Sequence, residues 1–113
     1  MDNIQALSRE ATARRLRTLA QLYQQGQTSG IMDRALDKLL TYETDLSREQ
    51  LRQLEADLAE FEQRYGLSSD EFYRRYQAGQ IDDRMDYVEW ASLIQMADNL
   101  RERLRLLTAE DQT

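Results

Sequence analysis

No proline occurs anywhere in the 113-residue chain and only four glycines do, so almost nothing in it stops a helix once one has started. Strand-rich folds need frequent turn residues and more β-branched side chains than are present here, which leaves an all-α protein as the expectation. A chain of this length buries one core. The sequence therefore predicts about five helices in a compact antiparallel helical bundle over residues 1–108, with a frayed tail over 109–113 and a dimeric bundle as the alternative.

Apolar spacing and capping residues set the segments. Strong helix formers run from Ile4 to Gln24, with Ala13, Leu16, Ala20 and Tyr23 on one face, and Gly26 and Gly30 bracket a polar break. Ile31 to Tyr42 reads as a second helix with a stripe of Ile31, Ala35, Leu36, Leu39 and Leu40. Ser47 with Gln50 three residues later has the form of a capping box, which opens a third helix through Leu51, Leu54, Leu58, Phe61 and Tyr65. Gly66 ends it, and Ser68 with Glu71 caps a short fourth helix from Ser69 to Ala78. The fifth runs from Asp83 to Leu107, with Trp90, Leu93, Ala97, Leu100, Leu104 and Leu107 as its seam. Acids crowd its start and arginines its end, which suits the helix dipole.

Composition removes whole classes of chemistry. With no cysteine and no histidine there are no disulfides, no thiolate nucleophile, no histidine proton shuttle and no His or Cys metal ligand. Asp82-Asp83-Arg84-Met85-Asp86 matches the Asp-Asp-x-x-Asp pattern of magnesium–diphosphate sites, but a chain this small cannot enclose the cavity such chemistry needs. An acidic first helical turn explains the same three carboxylates. No catalytic, cofactor or metal residues are assigned, and the chain is read as a non-enzyme. Its start has neither a basic region nor an apolar block, and no window has the run of apolar residues a bilayer crossing needs, so a cytoplasmic protein with no membrane partner is expected.

What remains is a surface. The formal charge of −6 disfavours nucleic acid as a partner by itself, although Arg9, Arg14, Arg15 and Arg17 give the first 30 residues a local net of +2. Fourteen of the 15 basic residues are arginine, the type suited to fixed bidentate pairing. Seven of the nine aromatic residues, Phe61, Tyr65, Phe72, Tyr73, Tyr76, Tyr87 and Trp90, lie between positions 61 and 90. Such a cluster either fills a helix–helix corner or, rimmed by arginines and by the carboxylates from Asp82 to Glu89, anchors another protein.

The run Ser68-Ser-Asp-Glu-Phe-Tyr-Arg-Arg-Tyr-Gln-Ala-Gly-Gln-Ile-Asp-Asp83, followed by Met85-Asp86-Tyr87-Val88-Glu89-Trp90-Ala91, resembles the C-terminal part of small all-helical antitoxin-like proteins of prokaryotic type II toxin–antitoxin pairs. The residues that carry the likeness are Phe72, Tyr73, Tyr76, Gly79, Asp83, Tyr87 and Trp90. The resemblance implies a chain that binds a small toxin, such as a basic ribonuclease, and blocks it; it departs from many antitoxins in having no evident DNA-binding domain. Phe72, Tyr73, Tyr76, Asp82, Asp83, Asp86, Tyr87 and Trp90 are accordingly expected at or beside the contact, divided between core and interface. The competing expectation is a structural or regulatory module that self-associates as a homodimer through the Leu51–Tyr65 or Trp90–Leu107 seam, with no toxin partner.

Overall fold

The computed structural model describes residues 2–109, with side chains from residue 7 onward. The expected frayed tail at 109–113 falls almost wholly outside the described residues. Four α-helices follow in order, α1 (Asp2–Gln24), α2 (Gly30–Tyr65), α3 (Ser69–Gln77) and α4 (Met85–Leu107), and no strand occurs among the described residues. The all-α class is as expected. Five helices become four, and in place of one compact bundle the contacts divide the chain into two units, Met1–Lys38 and Leu39–Thr113.

The missing break is explained by residues 43–46. Glu43-Thr44-Asp45-Leu46 holds no glycine or proline, and Thr44 Oγ1 donates back to the Leu40 carbonyl at 2.7 Å, as it does inside a continuous helix. The helical spacing also runs through, since Leu36, Leu40, Leu51, Leu54, Leu58 and Phe61 lie on one face with the polar Glu43 and Ser47 between them at steps of three or four residues. Ser47, read above as a cap, is a mid-helix residue only 2% exposed, and its hydroxyl accepts from Arg103 Nε at 3.1 Å. Its polarity serves a tertiary contact.

Within Met1–Lys38, α1 turns back at Gly26, where the Gln27 N–H donates to the Leu22 carbonyl and the Gly26 N–H to that of Tyr23. Tyr23 Oη then donates to Asp33 Oδ1 at 2.6 Å, tying the hairpin across its turn. Ala11, Leu19, Leu22, Met32 and Leu36 are half-buried, and no side chain described in this unit is fully buried.

Leu39–Thr113 holds the core: Leu54, Leu58 and Phe61 from α2, Phe72 from α3, and Trp90, Ala91, Ile94 and Ala97 from α4. The two long seams therefore face one another inside a single chain, antiparallel, as the stacked Phe61 and Trp90 rings at one end and Arg103 on Ser47 at the other require. This is the antiparallel packing expected of seams only two to three heptads long. It also removes the buried parts of those seams from any self-association. On α4 the buried face is rotated from the expected one to include Ala91 and Ile94, because that helix meets both α2 and α3.

Gly66 at φ +62° lets the chain leave α2 in the left-handed conformation, with the Leu67 N–H returning to the Glu62 carbonyl. The next helix begins two residues later. Ser68 Oγ accepts from the Glu71 N–H at 3.2 Å, and Glu62 Oε2 accepts from the Ser69 N–H at 2.7 Å, so two orphan donors of α3 are satisfied. A nine-residue helix has little stability of its own. Caps at its start and Phe72 beneath it hold α3 in place.

Candidate partner-binding surface

The expected site residues divide by chemistry. Phe72 and Trp90 are both 0% exposed and stack face to face, ring centroids 3.9 Å apart and planes 4° from parallel. They are core, and no partner reaches them directly. Trp90 Nε1 donates to Ser69 Oγ at 3.0 Å, so the one polar atom of the buried indole is satisfied. Phe61 stacks on the same indole at 5.6 Å and Tyr65 at 5.8 Å.

Around that stack every tyrosine of the cluster is half-buried, its ring on the core and its hydroxyl toward the surface. Tyr76 leans on Phe72 with centroids 5.5 Å apart, and Tyr87 lies 5.6 Å from Phe72 and edge-on to Tyr65 at 5.1 Å. Tyr73 faces another flank, its hydroxyl accepting from Gln95 Nε2 at 3.0 Å. There it borders a groove of about 450 Å³ that is also lined by Glu55, Glu62, Asp70, Asp98 and Arg101. Four carboxylates face one guanidinium in that groove, and Arg101 is already paired with Asp98 at 3.0 Å and Glu55 at 3.7 Å.

The three aspartates of the Asp-Asp-x-x-Asp run do not converge. Asp86 accepts from Tyr65 Oη and from Arg64 at 3.2 Å, and the tyrosine bond, followed by the guanidinium, holds its carboxyl below the ordinary aspartate range. Asp82 pairs locally with Arg84 at 3.1 Å and accepts the Arg84 backbone N–H, which also keeps its carboxyl low. The same guanidinium lies 4.7 Å over the Tyr87 ring. Asp83 is exposed, with no ion-pair partner among the described residues. No group of three or more acidic side chains among the described residues is arranged to hold a metal ion.

Met85 and Val88, at the first turn of α4 beside Asp82 and Asp83, are exposed, Met85 by 81%. Neither was picked out from sequence. The signal was available, because both are apolar positions three residues apart that fall off the seam that carries Trp90.

Glu71 shows how tightly the surface is wired. Its carboxylate accepts from Arg74 Nε at 3.0 Å and Nη2 at 2.6 Å, and from Arg75 Nε at 2.9 Å. Arg74 first, then Arg75, lower it from an ordinary value of 4.5 to about 2. A carboxyl depressed in the folded state contributes stability that is fully present above pH 4.5 and is lost as the pH falls toward 2. Acid titration of unfolding is therefore expected to show stability falling through that window, and Glu71→Gln, followed by circular dichroism, should flatten the slope.

Compared with known proteins, the chain matches no family model, no curated protein and no solved structure. No helix among the described residues is long and apolar enough to cross a membrane. The reading of the surface rests on its own residues.

Proposed function

We propose that the chain is a non-catalytic protein-binding module of the antitoxin-like kind, which occludes a small basic protein, such as a ribonuclease toxin, with an acidic and tyrosine-rimmed helical surface. The observation that carries this reading is the charge of residues 39–113. Seventeen acidic against nine basic residues give a net −8 there, and eight of the nine arginines are already ion-paired. The uncompensated charge is thus carboxylate. A basic nucleic-acid cleft is the complementary surface, and charge of this kind both steers the encounter and excludes the nucleic acid that the cleft would otherwise hold.

Affinity needs desolvated area as well as charge. Tyr76 and Tyr87 offer ring edges fixed from behind by Phe72, and Tyr73 is held by Gln95, so they lose little rotamer freedom on binding. Met85 and Val88 add apolar contact beside Asp82 and Asp83. The proposed mechanism is steric and electrostatic occlusion, without chemistry. Isolation of the tagged full chain from its native host, followed by mass spectrometry, tests it. One small basic protein in near-stoichiometric amount, whose ribonuclease activity returns when high salt releases it, is the expected result; its absence contradicts the proposal.

A further inference from the structure

We draw no further inference here: the strongest candidate, the groove of α2, α3 and α4 beside Tyr73 that Glu55, Glu62, Asp70 and Asp98 line, is a cluster of carboxylates, and nothing else in the structure points to what it would hold.

Discussion

Trp90→Ala is expected to cost about 3–5 kcal/mol, a large share of the roughly 5–15 kcal/mol that holds a domain of this size together. The indole is fully enclosed, stacks on Phe72 at 3.9 Å and on Phe61 at 5.6 Å, and donates to Ser69. Removing it opens a cavity where α2, α3 and α4 meet one ring, and takes from α3 the ring stacked closest on Phe72. A helix of nine residues does not persist without that contact. Urea unfolding followed by far-ultraviolet circular dichroism, which does not depend on the deleted fluorophore, should show the midpoint falling by roughly 2 M. A change below about 1 kcal/mol would mean that the core is not organised around this residue.

Asp82→Arg with Asp83→Arg is expected to do the opposite, leaving the fold and removing the partner. Both side chains are exposed and precede α4, so reversing them costs the folded chain little, through the helix dipole and the lost, solvent-screened Asp82–Arg84 contact. Toward a basic partner the change replaces two attractive charges with two repulsive ones beside Met85 and Val88, and retention should weaken by at least about tenfold. Asp82→Asn with Asp83→Asn keeps an oxygen for the Arg84 N–H while removing charge, and should fall between wild type and the arginine variant.

Much of this architecture was legible in the residues. The ends of α1, α2 and α3 follow from Gly26, Gly66 and Gly79, and the start of α3 from Ser68 and Glu71. The false break at Ser47 arose because serine is read by default as a cap, while its burial depends on Arg103, 56 residues away, which no local pattern reveals. The pairings of Arg103 with Glu43 and Arg64 with Asp86 were hidden for the same reason, since both follow from the antiparallel register of α2 against α4. Pairs at three and four residues, such as Arg74 and Arg75 on Glu71, follow from helical spacing alone. The aromatic cluster could have been divided by polarity. Phe61, Phe72 and Trp90 are buried, whereas Tyr65, Tyr73, Tyr76 and Tyr87 keep a hydroxyl near water.

In the proposed function, the rings that hold the protein together are separate from the groups around them that would meet another molecule. The most direct measurement takes the native-host partner and compares retention and unfolding midpoint for wild type and for the Asp82→Arg, Asp83→Arg chain. An unchanged midpoint with retention lost is the predicted result. Full retention of the partner by the charge-reversed chain, at the wild-type midpoint, would contradict it.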